Sequence, residues 1–383
     1  MKNDNRTSAY HLAFLRSERI TYARELRGLT KTALARMIDK SPAAITQFES
    51  GLKPDISTLV SIAKSLEVPL SFFSVEKNTP TPTIEEFHFR ARASVTQMMK
   101  SRSRRYAERV IDIFRFFEEY GVEFPSENVT PVQASFEDGM LIPDAASRVR
   151  FEWGLQNRPI HDLFGLFEQN GIFVVLLNQE YKELEACATW FGSRPCIMLA
   201  YNNVVSASRI QFDLAHELGH LFLHDESFVE TEKEPQAHAF ASSFLMPAES
   251  YLLDSPGKWH LGMFLEIKRK WHVSIQAALR RSRDLNAISD SNYRWGMVDL
   301  SKKGYRLNEP GEFALGEPSL LRQAVELVKD RLSLEDIAHA VHILPYELED
   351  ILRSQKVPEE TIKSLRIHES VKKGKVVTFT PRD

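Results

Sequence analysis

His216, Glu217, Leu218, Gly219 and His220 spell HELGH inside the apolar, helix-periodic run FDLAHELGHLFLH. At about 100° per residue, histidines four apart project from nearly the same helical face, so both imidazoles can reach one ion. Glu217 flanks that stripe, where a carboxylate can take a proton from a water that zinc has acidified to a pKa of roughly 7. That is the chemistry of peptide hydrolysis. Phe212, Leu214, Leu218, Leu221 and Phe222 bury the helix, and His and Glu in such surroundings are costly without a metal or hydrogen-bond partners.

A tetrahedral catalytic Zn2+ needs a third protein ligand and an open position. The metzincin pattern requires Gly at 223 and His at 226; the chain has Leu223 and Glu226. His224 lies another turn along the helix, but its Cβ has drifted about 80° from that of His216, which makes it a supporting or helix-end residue. The better candidate is Glu234, in EPQAHAFASSFLMP. It precedes Pro235, a good first-turn residue, and shares a face with Ala237, His238 and Ala241. Small residues there let a second helix approach the first closely. His238, Glu230 and Glu232 compete for the same role.

The net charge of -3 hides an asymmetry. Residues 1–110 hold 19 Lys and Arg against 11 Asp and Glu, or +8, and the rest 30 against 41, or -11. A basic front end points to an anionic partner. Residues 19–27 read as a helix, Thr30 caps a second, and Ser41 with Pro42 opens a short third helix that Gly51 ends. Ile45 and Phe48 face inward, leaving Ala43, Ala44, Thr46 and Gln47 toward solvent or a groove. An amphipathic helix through Leu59, Ile62, Ala63 and Leu66 completes a helix-turn-helix module.

Two resemblances rest on these residues. AHELGHLFLH, followed by E-x-x-A-x-x-F-A and LMP, resembles the ImmA/IrrE family of metallo-endopeptidases, a gluzincin-like group in which the residue matching Glu234 completes the zinc site. RPCIMLAYNN, GIFVVLLN and KRKWHVSIQAALRRSRDL extend the likeness across most of 80–350. His238 departs from it, since the family more often carries Asn or Asp there. The front end, over about 12–75, resembles the lambda repressor and Cro-type (XRE) helix-turn-helix domain, including the E-x-G at Glu49 to Gly51. That resemblance implies a recognition helix at 42–49 in the major groove of a double-stranded DNA operator. Gln47 could then pair with adenine, Thr46 meet a base or phosphate, and Ala43 or Ala44 touch a thymine methyl, with Ser41 at the helix start. Lys40 and Lys53 would contact phosphate. Such readers bind paired half-sites, so a homodimer is expected.

The fold class expected is α+β and mostly helical. An all-α helix-turn-helix domain (12–75) is followed by a linker (76–86) and a zincin-like domain (87–250) with a small antiparallel sheet before the HExxH helix, then by a helical C-terminal region (251–383). The strand signals are IFVVLLN, EACATWF and RPCIMLAY. An extended substrate is expected to add beside 194–201. The arginines of HFRARASVTQMMKSRSRR offer a possible phosphate contact, Trp271 reads as core, and 333–353 as a helical hairpin. Cys187 and Cys196 lack metal or disulfide spacing, no run approaches 18 apolar residues, and the N-terminus has no signal-peptide core, which together imply a reduced, cytoplasmic protein without a membrane partner.

The reading is a DNA-binding regulator of bacterial or phage type whose zinc endopeptidase, latent until triggered, cuts its own chain or a repressor-like partner and so derepresses stress or mobile-element genes. The rivals are a transcription factor that uses the peptidase fold as a sensor, and a toxin-antitoxin component.

Overall fold

The structure, a computed structural model, describes residues 11–76, 82, 88–91, 95–130, 141–177, 184–201, 205–224 and 230–372, with 88–91, 184–185, 230–231 and 366–372 described by backbone alone. The expected linker, apart from Glu76 and Pro82, and the tail from 373 lie outside the described residues.

The front end folds as its caps dictate. Helices α1 (Ser17–Leu26), α2 (Lys31–Met37), α3 (Pro42–Glu49) and α4 (Ile56–Ser65) are followed by a 3-10 turn at Leu70–Ser74. The side chains of Thr30, Ser41 and Asp55 accept from the backbone N–H of Ala33, Ala44 and Thr58, which satisfies donors that each helix start leaves open. Gly51, at φ 111, makes the left-handed exit from α3. Leu34, Ile45, Leu59, Ile62 and Phe72 close the core.

A short strand, β1 (His88–Ala91), precedes the long helix α5 (Gln97–Glu119), which runs beside the front end. Arg104 and Arg105 pair with Glu25 at 3.3 and 2.8 Å, and the Arg102 Nε donates to the Leu26 carbonyl at 3.3 Å. These three arginines therefore clamp α1 against α5, and the phosphate role offered to them is corrected.

Helices α6 (Ile142–Glu152) and α7 (Leu163–Gln169) lead into β2 (Phe173–Leu177), β3 (Leu184–Phe191) and β4 (Arg194–Ala200). The strand order is β1-β3-β4-β2. β1 and β4 both pair antiparallel with β3, but β2 runs parallel to β4, with Phe173 opposite Cys196 and Leu177 opposite Ala200. The sheet is thus mixed, which corrects the antiparallel expectation: the β3–β4 hairpin turns back so that β4 lies between β3 and β2. Both edges of β4 are taken, so no strand can add beside 194–201. On the outer edge of β2 the backbone of one residue, Leu176, is capped by a side chain. Leu176 N–H donates to the Gln355 Oε1 at 2.9 Å, and the Gln355 Nε2 donates to the Leu176 carbonyl at 2.7 Å.

Alternate residues of the strands feed two cores. Val174, Leu176, Ile197 and Leu199 pack with the HExxH helix α8 (Ala207–Leu223), with α9 (Glu230–Leu245), α10 (Ala248–Asp254), α11 (Leu261–Trp271), α12 (Ile275–Asp284) and α13 (Asp290–Lys302). Trp271 is core, its Nε1 donating to Asp254 at 2.8 Å. Phe173, Val175, Cys187 and Met198 join α5, the front end and α14 (Leu320–Val328), α15 (Leu334–Ala340), α16 (Pro345–Ser354) and α17 (Glu359–Lys372) in a second core. Glu347 of α16 takes an ion pair from Arg27 at 3.1 Å, and the Tyr346 hydroxyl donates to Glu67 at 3.1 Å. The helix-turn-helix module therefore shares apolar packing with one face of the sheet and with the C-terminal hairpin.

Candidate metal centre and DNA-reading helix

Helix α8 buries nearly all of its length, and His216, Glu217 and His220 are at most 2% exposed. Helix α9 crosses it closely because Gly219 faces Ala237. That approach brings Glu234, in the first turns of α9, to the two histidines. His216 Nε2 lies 3.3 Å from Glu234 Oε2, His220 Nε2 lies 3.4 Å from Glu234 Oε1, and the two Nε2 atoms are 3.1 Å apart.

Those distances test the site for zinc. With bonds of about 2.0–2.1 Å, tetrahedral geometry sets neighbouring ligand atoms about 3.3–3.4 Å apart. The two histidine–carboxylate distances, one to each Glu234 oxygen, lie in that range and the 3.1 Å between the Nε2 atoms is slightly shorter; two imidazoles with one carboxylate form a donor set zinc accepts. Among the described residues these three are the group of His, Cys, Asp and Glu whose ligand atoms converge within 4.8 Å. The competitors do not join them: Glu232 is outside the converging group, and the His238 ring stands 6.5 Å from that of His216 while leaning on Phe212 at 4.8 Å. The Glu230 side chain lies outside the described residues.

The His216 imidazole, and after it that of His220, hold the Glu234 carboxyl well below the usual carboxylate range. Burial lowers the pKa of His220 and pulls His224 down to about 4, so neutral rings are favoured at neutral pH. Burial, and after it the Glu217 charge, raises the Cys187 thiol well above its ordinary value, so Cys187 is a poor nucleophile. His224 is the C-cap of α8 with extended backbone, and its ring turns back on the site: its Nδ1 is 2.9 Å from the His220 Nδ1, and its Nε2 is 3.1 Å from the Gln236 Oε1. Sequence reasoning missed Gln236, whose one signal is its place two residues after Glu234.

Lys40 and Ser41, just before α3, and Ala43, Thr46 and Gln47 on it are exposed, and Ala44 is half-buried. The Thr46 hydroxyl donates to the Pro42 carbonyl at 3.2 Å. Lys53 is exposed, but its Nζ donates to the Ala13 carbonyl at 2.8 Å. Glu49, of the E-x-G, is an internal strut between Arg24 at 2.6 Å and Lys31 at 3.3 Å.

Comparison with known families agrees with this division. Residues 167–283 match the IrrE N-terminal-like domain of the M78 peptidases, a span that includes every candidate metal ligand, and residues 20–73 match the helix-turn-helix family. The chain therefore joins an XRE-type, DNA-binding helix-turn-helix domain to an ImmA/IrrE-like metallopeptidase-family domain. No curated protein matches the chain. Among the described residues no helix is long and apolar enough to cross a membrane.

Proposed function

We propose that this protein is a transcriptional regulator that binds its operator as a homodimer and carries a zinc endopeptidase directed at a repressor-like partner or at its own chain, relieving repression of stress or mobile-element genes. The observation that carries the reading is the convergence of His216, His220 and Glu234, their ligand atoms within 4.8 Å of one another, with Glu217 beside them on the same helix. Zinc bound there would supply Lewis acidity toward a water and a peptide carbonyl. His216, His220 and Glu234 hold it. Glu217 takes the proton of the attacking water and passes it to the leaving amine. On α3, Gln47 reads a base, Ala43, Ala44, Thr46 and Ser41 line the groove, and Lys40 and Lys53 lie toward phosphate.

In this reading a trigger precedes cleavage; the histidines and Glu217 are buried, while Glu234 is 53% exposed. A second reading, a regulator that senses through the peptidase fold without cutting, is favoured by one observation: the helix-turn-helix core continues into α5, the sheet and α14–α17, which gives a mechanical path between the halves. Incubating zinc-loaded protein with repressor-like proteins encoded beside its gene separates the two. The peptidase reading expects a defined cut that Glu217→Gln abolishes while operator binding persists. The sensor reading expects no cut and normal induction by Glu217→Gln.

A further inference from the structure

We propose that His224 and Gln236 form a hydrogen-bond relay that holds His220 as its Nδ1–H tautomer and thereby turns its Nε2 lone pair toward the metal position. The proposal rests on the zinc reading above and assigns positioning roles to two residues outside the ligand triangle.

The argument is an accounting of protons. A neutral imidazole has one N–H and one lone pair, and a hydrogen bond between ring nitrogens needs one of each, whereas the His216 and His220 Nε2 atoms, 3.1 Å apart, would both turn lone pairs to a shared ion. The Gln236 Oε1, 3.1 Å from the His224 Nε2, can only accept, so His224 carries its proton on Nε2. The His224 Nδ1 is then a lone pair, and at 2.9 Å it must accept from the His220 Nδ1–H. His220 is left with a bare Nε2, the atom that faces His216 and Glu234 at 3.1 and 3.4 Å. Reversing the amide of Gln236 reverses the chain and points an N–H of His220 at the metal position, which no cation tolerates. Only the first direction is compatible with a ligand.

The backbone explains how His224 reaches this place although it lies off the helical stripe of the ligands. It leaves α8 with φ -122 and ψ 134, while its N–H still donates to the His220 carbonyl at 3.2 Å. Its ring therefore folds back beside His220 instead of continuing around the helix. Helix α9 then serves the site twice, through Glu234 on the metal side and Gln236 at the far end of the relay. Outer hydrogen bonds of this kind fix a ligand's tautomer and raise its basicity, and their loss costs about 10- to 100-fold in metal affinity. The relay ends on a neutral amide, so a carboxylate there would pull harder on the shared protons.

The test is zinc affinity of the full-length protein, measured by chelator competition with metal stoichiometry, for His224→Ala, Gln236→Leu and Gln236→Glu. Alongside it, 15N spectra of the histidines in the zinc-loaded chain report which ring nitrogen of His220 is protonated. We expect His224→Ala and Gln236→Leu to bind one zinc about 10- to 100-fold more weakly. Gln236→Glu should bind at least as tightly as wild type, and wild-type His220 should show a protonated Nδ1. Circular dichroism checks folding, and Gln236→Leu carries the test if His224→Ala unfolds. Unchanged affinity in both weakening variants overturns the relay, and so does a protonated Nε2 on His220. Loss of all zinc from His224→Ala alone makes His224 a ligand and overturns it as well. A folded wild-type chain that takes up no zinc overturns the function proposed above together with the relay, whereas tight wild-type binding with unaffected variants removes the relay alone.

Discussion

Gly219 on α8 lies against Ala237 on α9 so closely that a β-carbon on Gly219 would stand 3.1 Å from the Ala237 Cα and 3.2 Å from its carbonyl oxygen. These are backbone atoms, which cannot step aside as a flexible side chain does. Gly219→Ala gains about 1 kcal/mol of helix propensity but pushes α9 outward, and Glu234 moves with it. The expected outcome is a chain of near-normal stability without metal whose extra stabilisation by zinc shrinks. Gly219→Val should destabilise the apo fold by about 1–3 kcal/mol as well. Thermal unfolding with and without chelator reads both effects.

The ligand set makes a second prediction. Ala at His216, His220 or Glu234 should abolish tight zinc binding, whereas Glu217→Gln should keep the metal and lose about two to four orders of magnitude in hydrolysis. Elemental analysis of the four purified variants decides the first half. Full zinc occupancy in Glu234→Ala would move the third ligand to another residue.

DNA recognition divides by residue. In the full-length protein Gln47→Ala should cost about 1–3 kcal/mol at a single operator base and little elsewhere. Lys40→Ala should weaken all sequences alike and reduce the salt slope by roughly 0.9. Lys53→Ala should do less than Lys40→Ala, because its ammonium is already bonded to the Ala13 carbonyl. Fluorescence anisotropy over a salt series measures all three. Equal loss on cognate and scrambled DNA for Gln47→Ala would remove its base-reading role.

His342 gives stability a pH dependence. Burial first, then the nearby cations Arg19, His339, Arg109 and His11, pull it down to about 4, against 6.5 in an unfolded chain. Between those values the unfolded chain binds a proton that the folded one refuses. Stability contributed by the neutral ring is therefore present above about pH 6.5 and is lost as pH falls toward 4. His342→Asn, which tolerates the left-handed φ of 54 at this position, should flatten that slope. Urea midpoints at pH 7 and pH 5 provide the comparison; an unchanged slope would assign the acid sensitivity to other groups.

What the sequence disclosed depended on how locally each feature is written. HELGH could be read because i and i+4 on a helix are neighbours by construction, and Thr30 and Ser41 because a cap and its partner are three residues apart. The strands could be located from their apolar runs, but not their pairing: nothing within 173–177 reveals that β2 lies parallel to β4 instead of beside β3. Arg102, Arg104 and Arg105 looked like a basic surface because their partners, Leu26 and Glu25, are more than seventy residues away. Gln236 was silent for a related reason, since an amide acquires a role only from the ring it meets.

The side chain of Gln355 caps Leu176 on the outer edge of β2, a strand of five buried residues, FVVLL, with no charge or proline to discourage pairing. An open edge of that composition is a template on which other chains can polymerise. The C-terminal hairpin is thus a guard against self-association of the peptidase half, delivered by a single amide. A chain truncated before α16 should lose solubility, because it uncovers both this strand and the core that Leu348, Ile351 and Leu352 complete.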